Sequence, residues 1–448
     1  MLLDTTRRSL HRIALGKQRE GRLPGLYAGV ARRGELAWGE GLGTVSVDST
    51  EPPGPDDQFL IASNTKSFVA VQVLALRDEG RLSLDDLLTD QVPELGQPVT
   101  VRQALAHVSG MQREPVGDVW ETLDQPDSPA LLAGLADAER VGHPHERWHY
   151  SNLMYAVLGQ LVERVEGRPW FESLTARILD PLEMTRTTIG FEGGRHLSGY
   201  FVGPYDDVPR PEPVIDLGAM TPCGGLASTA RDLAKWCAFV ADPVAEVLSA
   251  DTLEEMCQPQ VLVDADGWTQ GMGLGFFLVR APSGRVYAGH TGGMPGHITG
   301  VFTHRESGTA GIVAMTNSDA PAPDALAVEL AEHVVDHDPV EPEPWRPGTV
   351  VPDEFADLLG LWFSEGRAFT FSVRQGELEV RLNALPAHRA PSRFEKDGDD
   401  VYRTVSGRER GELLRVTRDE SGAPRKLNWA TYLFTRRPQS FGEDLTSS

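Results

Sequence analysis

Cysteine is almost absent from this 448-residue sequence, which contains only Cys223, Cys237 and Cys257. An odd number of cysteines, none of them in a close pair, excludes both a disulfide framework and a zinc knuckle as the source of stability. The chain must therefore fold around hydrophobic cores, and its length predicts two or three domains.

Positive charge is also scarce: 42 lysines and arginines stand against 65 acidic residues, which gives a formal net charge of −23. Such a charge repels phosphate groups over most of the surface, so we expect neither a nucleic-acid partner nor an anionic-membrane partner. Lysine is the rarer cation, and its five positions are Lys17, Lys66, Lys235, Lys396 and Lys426. A lysine that falls within a motif is therefore not easily explained by chance.

Long apolar runs are lacking too. No stretch of roughly 18 apolar residues occurs, so the sequence predicts no membrane-spanning helix. Arg7-Arg8 has the form of a twin-arginine export signal, but polar residues between His11 and Glu20 leave no room for the apolar stretch that such a signal needs. We therefore expect a cytoplasmic protein.

The order of local patterns predicts an α/β part interrupted by a mostly helical segment. The chain opens with a predicted helix over about 4–19, followed by a hairpin at Arg32-Arg33-Gly34. A buried helix capped by Ser63 or Asn64 comes next. Strand patterns return later, at 271–280, 286–289, 297–304 and 311–316, before a helix over 323–336. We thus predict one domain over 1–335, with α/β parts at about 1–80 and 221–335 and a helical insertion at about 81–220.

A proline-rich segment, 336–353, separates this domain from a second one. Its five prolines among acidic residues predict a stiff, extended linker. Beyond it, short alternating segments predict a small β-barrel or β-sandwich over 354–440. Those segments are 368–373, 378–382, 401–405, 413–417, 426–429 and 432–436. The tail from Phe441 to Ser448 shows no fold pattern, and we expect it to be disordered.

A serine and a lysine stand three residues apart at the start of the predicted buried helix, in Ser63-Asn64-Thr65-Lys66. Residues at this spacing lie on the same face of a helix, about one turn apart. A serine hydroxyl is a weak nucleophile that needs a neighbouring base, and a lysine that loses its solvation can act as one. A helix cap would explain Ser63 alone, and a surface position would explain Lys66 alone.

Two further motifs follow in order: Tyr150-Ser151-Asn152 at the start of a helix and His290-Thr291-Gly292 on a strand. With Ser63 and Lys66 they resemble the three motifs of the serine β-lactamase and penicillin-binding-protein superfamily, which includes class C β-lactamases, DD-carboxypeptidases, D-aminopeptidases and related esterases. Longer phrases match as well, at 106–111, 180–184 and 225–233. The resemblance spans about 20–335.

The resemblance implies a two-lobed β-lactamase-like transpeptidase fold, α/β plus all-α, with the small C-terminal β-domain appended. It makes Ser63 the nucleophile, and Lys66 and Tyr150 the groups that handle its proton. A phenol with a reference pKa of about 10 is a usable base only where a cation such as Lys66 stabilises its anion. The sequence leaves open which of the two takes the proton first, and Tyr150 could instead simply anchor the start of its helix.

The remaining motif residues are expected to bind the substrate. Asn152 offers its amide to the substrate carbonyl or to Lys66, or else serves only as a helix N-cap. His290 and Thr291 should lie on the strand that edges the site.

Two glycines complete the predicted site. Gly292 and Gly293 let the substrate backbone approach closely, and the N–H of Gly293 is expected to form an oxyanion hole with the N–H of Ser63. Glycines in strands also mark bulges or packing sites, which is the alternative for Gly293.

Two departures from the family pattern bear on the substrate. His290 stands where β-lactamases mostly have lysine, so a fixed positive charge for a substrate carboxylate is missing near neutral pH. Pro144-His145 replaces the Pro-Gly that usually precedes the second motif. Both departures weaken a prediction of efficient β-lactam hydrolysis.

The sequence thus predicts a serine hydrolase that acts through a Ser63 acyl-enzyme on an ester, or on an amide or short peptide of a small or D-configured amino acid. The alternatives are a weak β-lactamase or penicillin-binding protein, and a non-catalytic scaffold that retains the pocket. We expect no metal and no organic cofactor, and we attribute His143, His145 and His149 to a loop in which their side chains are hydrogen-bonded or solvated. A homo-oligomer is left open.

Overall fold

The computed structural model describes residues 2–341, 344–386, 390–407 and 409–439. They form two compact units that divide between Val340 and Glu341, within the proline-rich segment. The tail from Phe441 to Ser448, predicted to be disordered, lies outside the described residues.

Helices occur along the whole first unit. The α-helices are α1 Asp4–Glu20, α2 Thr65–Asp78, α3 Val101–Leu105, α4 Val119–Thr122, α5 Ser128–Gly134, α6 Asn152–Glu166, α7 Trp170–Leu174, α8 Thr221–Gly224, α9 Ala230–Ala241, α10 Ala250–Met256 and α11 Pro323–His337. Helical turns of the 3-10 type lie at Ala62–Asn64, Leu88–Asp90, Pro93–Leu95, Leu135–Asp137 and Gly218–Met220, and a π-helical turn lies at Thr175–Leu179. The predicted opening helix and the predicted last helix of this unit are confirmed as α1 and α11.

The strands of this unit are shorter and lie mainly at its two ends. They are β1 Gly25–Arg32, β2 Glu35–Gly43, β3 Phe59–Leu60, β4 Thr188–Ile189, β5 Tyr200–Phe201, β6 Arg210–Pro211, β7 Leu226–Ser228, β8 Val261–Leu262, β9 Gln270–Met272, β10 Phe277–Arg280, β11 Val286–Met294, β12 His297–His304 and β13 Thr309–Met315. The two-residue strands β4 to β6 fall in the segment predicted to be helical, which is otherwise made of short helices and turns.

The main antiparallel sheet of the described first unit has the strand order β2-β1-β13-β12-β11-β10-β9-β8. β1 pairs with β13, with Leu26 opposite Met315, so the two ends of the unit meet in one sheet. Alternate residues of β1 pack on opposite faces: Val30 joins the core formed with α1 and α11, and Tyr27 joins the core formed with α2 and α9. A sheet covered on both faces explains why its central strands are nearly continuous apolar runs.

The helix that follows Ser63 lies at the centre of the unit. Every residue from Thr65 to Leu76 is buried, as the apolar residues on several of its faces predict. Phe68 on this helix stacks on Trp236 of α9, with 3.8 Å between the ring centroids. α2 therefore has a fixed position between the sheet and the helical part.

The single strand predicted over 271–280 is wrong, because the chain turns back within it. β9 and β10 pair antiparallel, and the N–H of Gly273 donates to Phe276 O over 2.8 Å. Gly275 in the turn has φ of +85°, and a Cβ there would lie 2.2 Å from Cβ of Ala70 on α2. The alternation of small and apolar residues that suggested one strand therefore spans a tight turn, which packs against α2.

The second unit is a nearly closed β-barrel. Its elements are α12 Asp353–Ala356, β14 Gly360–Ser364, β15 Arg367–Arg374, β16 Glu377–Leu382, β17 Ser392–Gly398, β18 Val401–Thr404, β19 Leu413–Arg418, β20 Pro424–Trp429 and β21 Tyr432–Phe434. Each strand pairs with the next, and Phe363 and Thr435 exchange two backbone hydrogen bonds, of 2.8 and 3.0 Å, between the first and last strands. Of the two predicted architectures, the barrel is present, with β14 and β17 as unpredicted strands.

Aromatic side chains fill the barrel, among them Trp362, Phe371 and Phe394, each at most 2% exposed. Their alternation with polar residues along the strands is the pattern that predicts this domain.

None of the helices within the described ranges combines the length and the apolar composition that a membrane crossing requires.

Glu166, the last residue of α6, joins three parts of the helical segment. Its side chain is only 4% exposed and pairs with Arg81, with Arg168 at 2.7 Å and with Arg177 at 2.8 Å. Burial alone would raise the pKa of Glu166, but hydrogen bonds from Arg177 and Arg168 outweigh it and lower that pKa to about 2. This cluster fixes the far end of α6.

We expect Glu166→Gln to lower the free energy of unfolding at pH 7 by about 3 kcal/mol, because three guanidinium groups lose their anion. The folded pKa lies below the ordinary value of 4.5, so the stabilisation is complete above about pH 4.5 and is lost as the pH falls toward 2. Urea unfolding should therefore show a smaller difference at pH 3 than at pH 7. Exposed Glu172→Gln is the control, and an equal difference at both pH values would contradict the assignment.

Candidate active site

Ser63 lies in the 3-10 turn directly before α2. Ala62 in this turn has φ of +49°, a left-handed conformation that residues with a Cβ adopt rarely. Thr65 Oγ1 donates to Ala62 O over 2.6 Å. Ser67 Oγ donates to Asn64 O over 2.7 Å. The turn is thus fixed by its own side chains, and Ser63 has one defined position.

Asn64 attaches this turn to the sheet. Its Nδ2 donates to Ile61 O over 2.8 Å and to Thr299 Oγ1 on β12 over 2.9 Å. The predicted cap of α2 by Ser63 or Asn64 is wrong, since neither side chain accepts from the first turn of the helix. The 3-10 turn runs directly into α2, which leaves the Asn64 amide free to bridge to the strand.

Lys66 is completely buried, and three acceptors surround its ammonium nitrogen. Nζ lies 3.1 Å from Ser63 Oγ, 2.8 Å from Asn152 Oδ1 and 2.6 Å from Cys223 O. Three acceptors match the three N–H donors of an ammonium group. The contact with Ser63 also suits the reverse direction, in which the hydroxyl donates to a neutral amine. The predicted pairing of Ser63 with Lys66 is therefore present in the geometry.

Asn152 is the first residue of α6 and lies within this cluster. Ser151, rather than Asn152, caps the helix: its Oγ accepts from Met154 N over 3.2 Å. The Asn152 amide is held from its other side, because Nδ2 donates to Glu114 Oε1 over 2.7 Å. This hydrogen bond turns Oδ1 toward Lys66. Glu114 belongs to no motif, and no pattern in the sequence points to it.

The aromatic ring of Tyr150 lies close to the ammonium group of Lys66. Nζ of Lys66 lies 4.8 Å from the ring centroid, and the guanidinium carbon of Arg113 lies 5.1 Å from it. The ring also packs on His107, with 4.3 Å between the ring centroids. Within the described residues the Tyr150 hydroxyl makes no hydrogen bond. The structure therefore brings Tyr150 and Lys66 together, while the proton-handling role of the hydroxyl stays a prediction.

His107 contacts the second motif, Tyr150-Ser151-Asn152, from the interior of the unit. It is fully buried, and its Nδ1 accepts from Ser151 N over 3.1 Å. Burial, followed by the nearby charge of Lys66, lowers the pKa of His107 well below its ordinary value, so the ring is neutral. Its carbonyl accepts from His149 N over 2.8 Å. The matching phrase at 106–111 is the signal in the sequence that points to this residue.

His290 and Thr291 lie on β11, and their side chains differ in exposure. His290 is 2% exposed; burial, followed by the charge of Lys66, lowers its pKa to about 3. Its Nδ1–H donates to Thr291 O over 2.5 Å, and its Nε2 is buried without a partner in the described residues. His290 is thus neutral and buried, whereas Thr291 is partly exposed.

Gly292 and Gly293 follow on the same strand, beside the Ser63 turn. A Cβ on Gly292 would lie 2.2 Å from Ile61 O, 2.5 Å from Thr299 Oγ1 and 2.9 Å from Asn64 Nδ2. A Cβ on Gly293 would have ordinary contact, 3.4 Å from Ile298 Cδ1. The missing side chain at Gly292 is therefore what lets β11 lie against the turn that carries Ser63.

Metal ligation has no geometric basis in the described ranges. No group of three or more histidine, cysteine, aspartate or glutamate side chains is close enough there to hold an ion. His145 of the histidine-rich loop lies 3.3 Å from Gln103 Nε2.

Comparison with known families and proteins gives a consistent result. The family model described as Beta-lactamase matches residues 10–336, and the model described as Domain of unknown function (DUF7586) matches residues 351–436. Protein flp of Staphylococcus aureus (strain MW2) is 27% identical over 235 residues, which are 50% of this chain and 47% of that protein. The chain thus spans about half the length of the curated relatives that it matches.

Solved structures extend the likeness to the whole fold. The octameric penicillin-binding protein homologue from Pyrococcus abyssi has a TM-score of 0.66 and 23% identity, and the match covers 97% of this chain and 100% of that chain. The D-amino acid amidase from Ochrobactrum anthropi SV3, complexed with D-phenylalanine, has a TM-score of 0.62 and 23% identity, with 75% and 99% covered. The predicted resemblance and the predicted fold are confirmed.

We expect Gly292→Ala to slow acylation of Ser63 by at least about 100-fold, because the new Cβ would push β11 away from the Ser63 turn by an ångström or more. The rate of labelling by a fluorophosphonate measures this effect. Gly293→Ala is the matched control on the same strand, and its rate should fall by no more than about threefold. Equal rates for the two variants would show that the close approach at Gly292 does not govern the site.

Proposed function

The chain belongs to the β-lactamase family, and on that premise we propose that it is a serine hydrolase whose Ser63 forms an acyl-enzyme with an ester, amide or short peptide substrate. The single observation that carries this proposal is the 3.1 Å contact between Ser63 Oγ and the buried Lys66 Nζ. A hydroxyl at the start of a buried helix, one hydrogen bond from an amine, is the arrangement that an activated serine nucleophile requires.

The proposed reaction has two steps that balance. In the first, the proton of the Ser63 hydroxyl passes to Lys66 or Tyr150, Oγ bonds to the acyl carbon, and the ester or amide bond breaks as the leaving group takes a proton. In the second, water attacks the acyl carbon, the bond to Oγ breaks and the serine proton is restored. Which of Lys66 and Tyr150 takes the proton first stays open; Nζ of Lys66 lies 4.8 Å from the centroid of the Tyr150 ring, where its charge would stabilise a phenolate.

Substrate binding is assigned to the neighbouring groups. The N–H groups of Ser63 and Gly293 form the proposed oxyanion hole, and partly exposed Thr291 lies beside them on β11. Asn152 holds Lys66 and offers its amide to the substrate. His290, which is 2% exposed, contributes by shaping the strand and by being uncharged.

The absence of charge on His290 favours an ester or an amino-acid amide over a β-lactam. A pKa of about 3 leaves no cation at this position near neutral pH. The D-amino acid amidase whose fold this chain shares acts, by its name, on an amide of an amino acid. A weak β-lactamase, a penicillin-binding protein and a non-catalytic scaffold are the alternatives. A homo-oligomer, which the octameric structural relative suggests, and a cytoplasmic location both stay predictions.

We expect Ser63→Ala to abolish labelling by a fluorophosphonate and to lower the hydrolysis of an activated ester by at least about 1,000-fold, since the nucleophile is lost. Intact-mass measurement followed by peptide mapping should place the adduct of the wild-type protein on Ser63. Thr65→Ala removes a hydrogen bond of the same turn but keeps the nucleophile. It therefore measures how much activity is lost through disturbance of the turn alone. Ester hydrolysis that survives Ser63→Ala would refute the proposal.

Exposure to a penicillin separates the alternatives by the same mass measurement. The proposed esterase or peptidase should acylate poorly or release the adduct. A persistent penicillin adduct would identify a penicillin-binding protein instead, and no adduct with either reagent would identify a scaffold.

A further inference from the structure

Three exposed arginines, Arg7, Arg8 and Arg12, lie close together in the first half of α1. Within the described residues, none of their side chains makes an ion pair or a hydrogen bond. Elsewhere in the first unit arginine is commonly paired, as Arg164 is with Glu94 at 2.7 Å. Arg7-Arg8 is also the pair with the form of an export signal, and the proposed function gives it no role.

The placement of these arginines is unfavourable to the helix itself. Arg8 and Arg12 are four residues apart, so their like charges lie on one side of α1 and repel each other. Arg7 and Arg8 also lie in the first two turns, near the positive end of the helix dipole. Residues that break such local rules without a compensating contact are expected at functional positions.

A cavity of about 510 Å³, which we call the α1–β2 cavity, lies between α1 and the edge strand β2. Its walls include the three arginines and His11 on α1, and Trp38 and Glu40 on β2. With His11 counted as neutral, three arginines against one glutamate give these walls a formal charge of +2, in a protein whose net charge is −23. Sites for small molecules have volumes of about 300–1,000 Å³, so the cavity has the size of one.

The donors of this cavity and its carboxylate differ in how they are bonded. Trp38 is 5% exposed, and its indole N–H has no acceptor in the described part of the chain, although a buried indole N–H usually has one. Glu40 is bound by His11, whose Nδ1 lies 2.7 Å from Oε1 of Glu40. Among the described residues, the walls therefore offer unpaired guanidinium and indole donors, while their one acid is hydrogen-bonded to a neighbour.

The α1–β2 cavity and Ser63 lie on opposite faces of the main sheet. Leu10 and Ala14 of α1 join the core that contains Val30, whereas α2 joins the core that contains Tyr27. The sheet thus separates the cavity from the helix that follows Ser63. A ligand of the cavity is therefore not the group that reacts with Ser63.

We propose that the α1–β2 cavity is a binding site for a small soluble polyanion of the phosphate class, a phosphate monoester or a pyrophosphate. Arg7, Arg8 and Arg12 bind its oxygens, because a guanidinium group matches phosphate in shape and donates two hydrogen bonds at once. A phosphate monoester carries about two negative charges, which suits walls with a charge of +2. The inference does not depend on the proposed function.

The size and the surroundings of the cavity favour a small molecule over an extended polyanion. A membrane or a nucleic acid would contact far more of the surface than these three arginines, and the net charge of −23 repels it there. A small ligand meets only the local positive charge. Its binding should weaken as salt is added, because the arginines are exposed.

Isothermal titration calorimetry of the full chain with sodium pyrophosphate, without divalent cations, tests the site. We expect the wild type to bind with a Kd below about 1 mM in low salt. Arg12→Gln should weaken binding about tenfold, the contribution of a charge-assisted hydrogen bond, and Arg8→Gln combined with Arg12→Gln should abolish measurable binding. Arg19→Gln is the matched control: Arg19 is exposed at the other end of α1 and does not line the cavity, so its Kd should stay within about twofold.

Thermal unfolding of the same variants separates loss of the ligand contacts from loss of the fold. Since the substitutions relieve repulsion within α1, Arg12→Gln and the double variant should unfold at a temperature no lower than that of the wild type. Acetate, which carries a single charge, should bind at least about tenfold more weakly than pyrophosphate.

Four results would overturn the inference. The first is no binding of pyrophosphate by the wild type, and the second is an equal loss in Arg19→Gln and Arg12→Gln. A lower unfolding temperature of Arg12→Gln would show that the arginine serves the fold instead. Sedimentation of the protein with vesicles of anionic phospholipid, without binding of soluble pyrophosphate, would identify a membrane contact.

Discussion

The structure depends on one constraint: a lysine side chain that is fully buried must be given hydrogen-bond acceptors. Removing an ammonium group from water costs several kcal/mol, and that cost is offset only where its N–H groups are satisfied. Lys66 receives acceptors from three separate parts of the chain, namely Ser63 in the turn before its own helix, Asn152 at the start of α6 and the carbonyl of Cys223. No carboxylate pairs with it in the described residues. The carboxylate of Glu114 accepts from the Asn152 amide, whose oxygen in turn accepts from Lys66.

The rest of the first unit can be understood as support for this arrangement. The sheet brings β11 against the Ser63 turn, and Gly292 allows the close approach. The His107 ring accepts a hydrogen bond from the N–H of Ser151, and the arginines around Glu166 anchor the far end of α6. A site made from distant segments is only as exact as the packing that holds them, so groups that never touch the substrate matter as much as the motifs.

Much of this could be predicted from the sequence, because the decisive patterns are local. Ser63 and Lys66 are one helical turn apart, and the apolar residues that follow predict a buried helix. The alternation of short segments predicts a β-barrel or a β-sandwich, and the structure has the barrel. Tertiary contacts are what the sequence does not reveal. The turn at Gly275, which splits a predicted strand, is set by packing on α2, and the bridge from Asn64 to Thr299 replaces a predicted cap. Glu114 lies in a loop without a motif, and only the fold brings it to Asn152.

The central claim is that Lys66 activates Ser63, and the most direct test is the rate at which a fluorophosphonate acylates Ser63 in Lys66→Met. Methionine keeps much of the volume of the buried side chain and removes the amine. A base that takes the serine proton contributes about 100- to 10,000-fold, so the account predicts a fall of that size, with the thermal unfolding transition still cooperative. Acylation at a rate near that of the wild type would contradict it.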